Sequence, residues 1–346
     1  MRRNGKAAAR RGGGGARLLR WCITAITRSM LARFITFIVA LLAIILVCDA
    51  DLQLYVLTTV FGVPGVGTYA NKVVWITGAS SGIGEHLAYK FAATNATLVL
   101  SARREDRLRD IMDRCRTLGA ASNSIIEPLD VAAAIPEMST VVDRVLARVH
   151  HLDVLVLNAG ATQRALAADM SISKVKQLFE LNVFAAFEHA RVALPHLSKS
   201  SGSIVVTSSF TGKIGTPVST AYSASKHALH GFFGGMRAEV PEIDISLVCF
   251  GPVESEIAQA AGVNEDNSNK MPTGRAKELM LSAIHHKLFE VWISPHPPLL
   301  FLYVGQYFPS LVAWLNIKGP GRSRVEAFKK GIDLYSSAAY TTGASK

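Results

Sequence analysis

Tyr222 and Lys226 stand four residues apart in the run Tyr222-Ser223-Ala224-Ser225-Lys226. On a helix this spacing puts both side chains on one face. An ammonium close to a phenol favours the phenolate and lowers its pKa toward working pH. A tyrosine so tuned can act as a general acid or base. Alone the pair is a weak signal, because helices often carry Tyr and Lys at this spacing. It gains weight from polar residues upstream, each at the end of an apolar run or shortly after one. Ser208 and Ser209 follow one such run, Asn158-Ala159-Gly160 closes another, Asp130 follows a third, and Asn182 lies between.

A second constellation lies earlier, in Thr77-Gly78-Ala79-Ser80-Ser81-Gly82-Ile83-Gly84. It follows an apolar run and opens a helical pattern. A glycine-rich turn from strand into helix brings backbone N–H groups and the positive helix end to a pyrophosphate. The next apolar run ends Ser101-Ala102-Arg103-Arg104. Dinucleotide folds that select NAD usually place a carboxylate here for the ribose 2′-hydroxyl. Ala102 provides none, and Arg103 offers charge-assisted hydrogen bonds to a 2′-phosphate. The expected cofactor is therefore NADP(H).

The elements that must carry these residues follow from the hydrophobic pattern. Strands are expected at 73–77, 97–101, 124–127, 154–157, 203–207 and 245–249, with helices between them, for example 83–93 and 138–150. The strand runs are apolar without strict alternation, as in strands buried on both faces. Strand–helix–strand repetition implies an α/β fold with one doubly wound parallel sheet.

With these residues assembled, the sequence resembles the short-chain dehydrogenase/reductase family. The matching segments are TGASSGIG at 77–84, NAG at 158–160, Asn182, Ser209 and YSASK at 222–226, over about residues 70–260. His285–Trp314, Asp49-Ala50-Asp51-Leu52 and Ser225–Leu229 with Gly231-Phe232-Phe233 resemble a membrane-anchored branch, dehydrogenase/reductase member 7. That extends the resemblance to about 49–335. It implies a Rossmann-type sheet and a carbonyl reductase that also runs in reverse with NADP+.

It also implies roles. Tyr222 gives a proton to the carbonyl oxygen. Lys226 tunes Tyr222 and holds the nicotinamide ribose. Ser209 polarises the carbonyl, and Asn182 supports a water chain that resupplies the proton. Gly78, Ser80, Ser81, Ile83 and Gly84 surround the pyrophosphate and ribose. Asp130 meets the adenine, and Asn158 pins the sheet and approaches the cofactor. Val253 belongs to the nicotinamide wall, and Ser255 stands where a cofactor-binding Thr is common. One departure is Phe250 in Phe250-Gly251-Pro252-Val253, where the family usually has proline. The helices of Asn182 and Tyr222 are those through which the family often forms a homodimer.

The 346 residues carry a net charge of +11. Residues 1–48 hold nine Lys/Arg and no acid, leaving 28 basic and 26 acidic residues. The remainder is nearly neutral, which removes the electrostatic argument for nucleic-acid binding. Mean hydropathy is +0.27. Residues 31–48 run almost unbroken apolar and as a helix would span about 27 Å. They read as a single-pass signal anchor, with a cleaved signal peptide or a mitochondrial presequence as alternatives. The anchor reading leaves the basic tail cytosolic and the rest in the lumen, in the endoplasmic reticulum membrane. The expected division is a basic disordered tail at 1–30, the anchor at 31–48, a linker at 49–71, a catalytic domain at 72–297 and an apolar C-terminal segment at 298–346.

Within that last segment, 298–317 is aromatic-rich but broken by Gly305 and Pro309. It reads as a roof over substrate, a shallow membrane-dipping segment, or a second span. Four cysteines without a CxxC pair exclude a disulfide scaffold or zinc ribbon. No metal-ligand spacing is convincing, and His227 and His230 read as ordinary helix histidines. Asn95-Ala96-Thr97 is a glycosylation sequon. The expected activity is reduction of a small lipophilic carbonyl of steroid, retinoid or quinone type. The alternatives are a long-chain lipid ketone reductase and a membrane-tethered NADP(H)-binding scaffold with an idle site.

Overall fold

The structure is a computed structural model that describes residues 30–39, 43, 45–254 and 270–332. It divides into two compact units, Met1–Cys48 and Asp49–Lys346. In the first unit residues 30–39 are helical, with apolar side chains such as Phe34 and Phe37 exposed. Among the described residues no helix is long and apolar enough to cross a membrane. The expected anchor at 31–48 is described only in part, and the basic tail at 1–29 lies outside the described residues.

The second unit is built on a 7-stranded sheet in the order β3-β2-β1-β4-β5-β6-β7, with every pairing parallel. The strands are β1 (Val73–Thr77), β2 (Thr97–Ser101), β3 (Ile125–Ile126), β4 (Val154–Leu157), β5 (Ser203–Ser209), β6 (Asp244–Phe250) and β7 (Glu290–Ile293). Side chains alternate between faces along β1. Val74 and Ile76 join one core cluster, Val73 and Trp75 the other. Both faces must therefore be covered by helices.

On the first face lie α1 (Leu52–Phe61), α2 (Gly82–Ala92), α3 (Glu105–Thr117) and α8 (Thr273–His285), which contribute Leu54, Phe91, Ile111 and Met280. On the second lie α4 (Met138–Val149), α6 (Ala185–Ser200) and α7 (Thr220–Glu239), which contribute Val142, Ala193 and Phe233. Helix α5 (Ile172–Phe179) leads into α6 through a wider π turn, Glu180–Phe184.

Two expectations change here, and a third holds in part. Residues 49–71 are not simply a linker. Asp51 caps α1 by accepting from the Leu54 N–H at 3.1 Å, and Thr58 Oγ1 donates to Ser282 Oγ on α8 at 2.9 Å. Ala50 bridges Ile293 antiparallel and so covers the β7 edge of the sheet. Strand β7 itself was not foreseen, because its four residues lie inside a run that reads as one apolar segment. In the C-terminal segment the break expected at Pro309 is present, while Gly305 lies inside a helix. The segment forms α9 (Pro298–Tyr307), α10 (Pro309–Lys318) and α11 (Pro320–Lys329), each with a proline at its start. Proline has no N–H to bond to the preceding turn, so the run breaks at Pro309 and again at Pro320.

Candidate active site

Strand order reverses between β1 and β4, because the chain leaves them toward opposite edges. A crevice opens there at the carboxyl ends of the strands, where ligands bind in such sheets. A cavity of about 600 Å³ occupies this place. Gly78, Ser80, Ser81, Ile83, Arg103, Asp130, Asn158, Ser209, Tyr222, Lys226 and Val253 all line it. Ser255 lies outside the described residues.

The catalytic candidates come from three elements. Tyr222 and Lys226 sit one turn apart on α7, and Lys226 Nζ lies 5.8 Å from the Tyr222 ring centre. Nζ donates to the Thr207 carbonyl at 2.8 Å. Lys226 is buried, and burial pulls its pKa down to about 8. Ser209 ends β5, and its Oγ accepts from the Thr211 N–H at 3.2 Å.

Asn182 does not line the cavity. The π turn carries it inward, to 2% exposure. There its carboxamide donates to the Ala161 carbonyl and accepts from the Ala161 N–H, both at 2.9 Å, and donates to Ser225 Oγ at 3.1 Å. It ties the loop after β4 to the helix of Tyr222, which is a positioning role.

The glycine loop is shaped by close backbone approach. Gly78 has φ +66°, a left-handed conformation that other residues adopt only with strain. A Cβ on Gly84 would lie 2.4 Å from the Gly78 carbonyl oxygen and 2.6 Å from Asn158 Nδ2. Gly84 therefore lets α2 pack beneath the loop and does not itself line the cavity. Asn158 Nδ2 donates to the Thr77 and Gly78 carbonyls at 3.1 and 3.2 Å, and its Oδ1 accepts from Thr207 Oγ1 at 3.1 Å. One carboxamide thus joins β1, β4 and β5. Ser81 occupies the N-cap of α2 without a side-chain cap bond. The first-turn N–H groups are therefore suited to an anion.

Beyond β2 the pattern of Ala102 and Arg103 needs an addition. Arg104 also lines the cavity, and its guanidinium donates to Ser80 Oγ and to the Ser80 carbonyl at 3.1–3.3 Å. Two adjacent arginines in the sequence were the available signal; only the fold shows that the second reaches the glycine loop. Asp130 is exposed, and its carboxylate caps a turn by accepting from Ala132 and Ala133 N–H. Phe250 does not disturb the backbone. It pairs with Ser209 and Ile293 in register, and the Gly251 N–H donates to the Ile293 carbonyl at 2.8 Å.

The C-terminal helices pack on the loops after β4 and β5, and none of their described residues lines the cavity. The Asn316 side chain on α10 donates to the Gly215 carbonyl at 3.3 Å. On α11, Ala327 and Phe328 pack on Val218 with Leu166.

A model of the short chain dehydrogenase family matches residues 72–266. The chain is 41% identical over 283 residues to dehydrogenase/reductase SDR family member 7 of Homo sapiens, covering 77% of this chain and 83% of that one. It is 36% identical over 220 residues to a hydroxysteroid 11-beta-dehydrogenase 1-like protein of Xenopus tropicalis, covering 62% and 76%. A solved short chain dehydrogenase/reductase of Burkholderia phymatum in complex with NAD superposes with a TM-score of 0.62 at 24% identity, over 78% of this chain and 98% of that one. An alcohol dehydrogenase of Thermococcus sibiricus complexed with 5-hydroxy-NADP gives 0.60 at 24% identity, over 65% and 97%. The match of the family model over more than half of the chain, with a relative 41% identical over most of both chains, shows that the chain belongs to the short-chain dehydrogenase/reductase family of oxidoreductases.

Proposed function

We propose that this protein is an NADPH-dependent reductase of lipophilic carbonyl compounds of steroid, retinoid or quinone type, anchored to a membrane by its N-terminal helix. The observation that carries the reading is one cavity bounded by Ser209, Tyr222 and Lys226 and by the loop Gly78–Ile83 with Arg103 and Arg104. The two solved relatives were studied with NAD and with an NADP analogue respectively, so the fold alone does not choose between them. The residues after β2 support NADP(H). No carboxylate stands at Ala102, Arg103 and Arg104 both line the cavity, and the Arg104 guanidinium reaches Ser80, an arrangement suited to a 2′-phosphate.

When bound, NADPH supplies the hydride. The chain's residues do the rest. The Tyr222 hydroxyl donates a proton to the substrate oxygen, and the Ser209 hydroxyl donates a hydrogen bond that polarises it. The Lys226 ammonium stabilises the phenolate that Tyr222 becomes. Its fixed bond to the Thr207 carbonyl holds it in place for that task and for the ribose.

Substrate class is supported by the relatives named for hydroxysteroids and by apolar residues along the C-terminal helices. Tyr307, Phe308, Leu311, Trp314 and Ile317 are exposed there. With Lys318 and Arg322 following, such residues favour a bilayer interface. Exposed Phe184, and Phe232 stacked on Phe187 at 3.7 Å, support pairing of two copies through the π turn and helices α6 and α7.

The test is NADPH oxidation by the membrane-embedded protein with retinal, steroid ketones and quinones. Tyr222→Phe should lower turnover by about 10²- to 10⁴-fold while NADPH still binds. Turnover that survives the substitution would sink the assignment of Tyr222.

A further inference from the structure

The helix of Tyr222 and Lys226 carries a third polar residue on the same face. His230 follows Lys226 by four residues. Its Nε2 lies 3.0 Å from Ser208 Oγ and 3.6 Å from Cys249 Sγ, and its Nδ1 lies 3.2 Å from Glu290 Oε2. Glu290, on β7, also accepts from Trp292 Nε1 at 2.8 Å and pairs with Lys213 Nζ at 3.0 Å. Burial opposes the charge on Glu290. Hydrogen bonds from His230 and Trp292, with the Lys213 charge, outweigh it and hold the pKa down at about 2.

Three chemistries could use this cluster. A His230–Cys249–Glu290 metal site is disfavoured by geometry. Cys249 and Glu290 meet opposite nitrogens of the ring, and Lys213 already neutralises the carboxylate. The Ser208–His230–Glu290 order is that of a nucleophile, base and carboxylate. Ser208 is only 3% exposed, however, and Gly212 packs so closely that a Cβ there would lie 3.0 Å from both Ser208 Oγ and His230 Nε2. The hydroxyl is already engaged by His230 beneath Gly212, which favours a holding role over attack. Positioning remains.

The need for it is visible in the sheet. On the β4 side, β5 is paired only as far as Leu157 with Val206. Thr207, Ser208 and Ser209 keep a partner strand on the β6 side alone. Side chains must supply the missing restraint. An ionised Glu290 accepts a hydrogen bond from Nδ1–H, leaving the Nε2 lone pair to accept one from the Ser208 hydroxyl. Glu290 thereby holds both sides of Ser209: Ser208 just before it, through His230, and Lys213 shortly after it, directly. We infer that Glu290 and His230 are positioning residues that clamp the end of β5 and its following turn onto α7, and so set where the Ser209 hydroxyl stands relative to Tyr222. The inference rests on the proposed role of Ser209.

The test uses the full chain in membranes with NADPH. His230→Phe and Ser208→Ala are each expected to lower kcat on the order of tenfold to a hundredfold, the scale of a misplaced catalytic group. NADPH affinity should stay unchanged. Their double variant should be no slower than the slower single one, because one clamp is removed either way. Glu290→Gln, which keeps an acceptor for His230, should retain more kcat than Glu290→Ala. Losses that multiply in the double variant would overturn the clamp. So would a kcat unchanged in Ser208→Ala, which removes one hydroxyl and serves if His230→Phe fails to fold. A second readout needs no substrate. Amide hydrogen exchange over residues 208–213 should speed up in the variants, with the Gly78–Gly84 loop unaffected. Unchanged exchange at 208–213 overturns the clamp even if the wild type reduces nothing. Faster exchange beside an inactive wild type counts against the reductase reading instead.

Discussion

At the scale of single residues, the structure separates groups that touch the cavity from groups that hold others in place. Arg104 belongs to the first kind. Arg104→Ala is expected to weaken NADPH binding by about tenfold or more, since a charge-assisted hydrogen bond is worth about 1.5–3 kcal/mol. NADH binding should change little, and cofactor fluorescence titration of both nucleotides measures the split. His189 belongs to the interior. It packs edge-on against Trp75 at 4.5 Å, neither ring nitrogen has a hydrogen-bond partner among the described residues, and burial lowers its pKa to about 4. The unfolded chain takes up this proton near pH 6.5. As pH falls from 6.5 toward 4, protons therefore bind the unfolded state first and stability is lost. At about 1.4 kcal/mol per pH unit in that window, the loss reaches roughly 3 kcal/mol. Thermal melts of His189→Leu should fall less steeply between pH 7 and 4.5 than those of the wild type.

At the scale of elements, the site depends on irregularities as much as on strands and helices. The π turn rotates Asn182 inward to Ala161 and Ser225. Gly84 lets α2 begin against the Gly78 carbonyl. The segment ahead of α1 does similar work at the far edge of the sheet. One Asp51 carboxylate oxygen caps α1, and the other accepts from the Trp292 N–H of β7 at 2.8 Å. Asp49 holds Arg275 of α8 through two hydrogen bonds, at 2.7 and 3.1 Å. The Leu52 N–H donates to the Tyr303 hydroxyl of α9 at 2.8 Å. Asp51→Ala removes a cap and leaves a strand N–H unpaired. Chemical denaturation should show a loss of about 1–2 kcal/mol, with β7 and α1 the first amides to lose exchange protection. A loss confined to α1 would show that the strap does not support the sheet edge.

At the scale of the whole molecule, Asp49–Lys346 forms one compact unit and Met1–Cys48, with the apolar N-terminal segment, another. The proposed topology places the catalytic unit in the lumen. Asn95 is exposed and has φ +64° in the turn before β2, with the Thr97 hydroxyl of its sequon donating to Asn123 Oδ1 at 3.0 Å. In sealed microsomes the catalytic unit should resist added protease. A glycosidase-sensitive mass shift should appear in the wild type and vanish in Asn95→Gln. Digestion of the unit from outside would sink the lumenal placement.

The parts of this protein set by local rules were legible in its residues. Buried parallel strands read as apolar runs, so β1, β2 and β4 were delimited from the sequence alone, and β5 and β6 only lengthen at their ends. Tyr222, Lys226, Ser209 and the glycine loop were legible because their chemistry depends on spacing along the chain. What the sequence could not show depends on contacts between distant segments. Ala50 meets Ile293, Arg104 reaches Ser80, and Glu290 meets His230. None of these pairs has a periodicity to betray it. Short β7 lies in a run whose apolar character suits strand and helix equally, and only its place beside β6 decides between them. Hydrophobic period and helical spacing are local quantities that one chain carries in itself. The clamp, the edge strap and the second arginine exist only once the sheet has brought remote residues within hydrogen-bond distance.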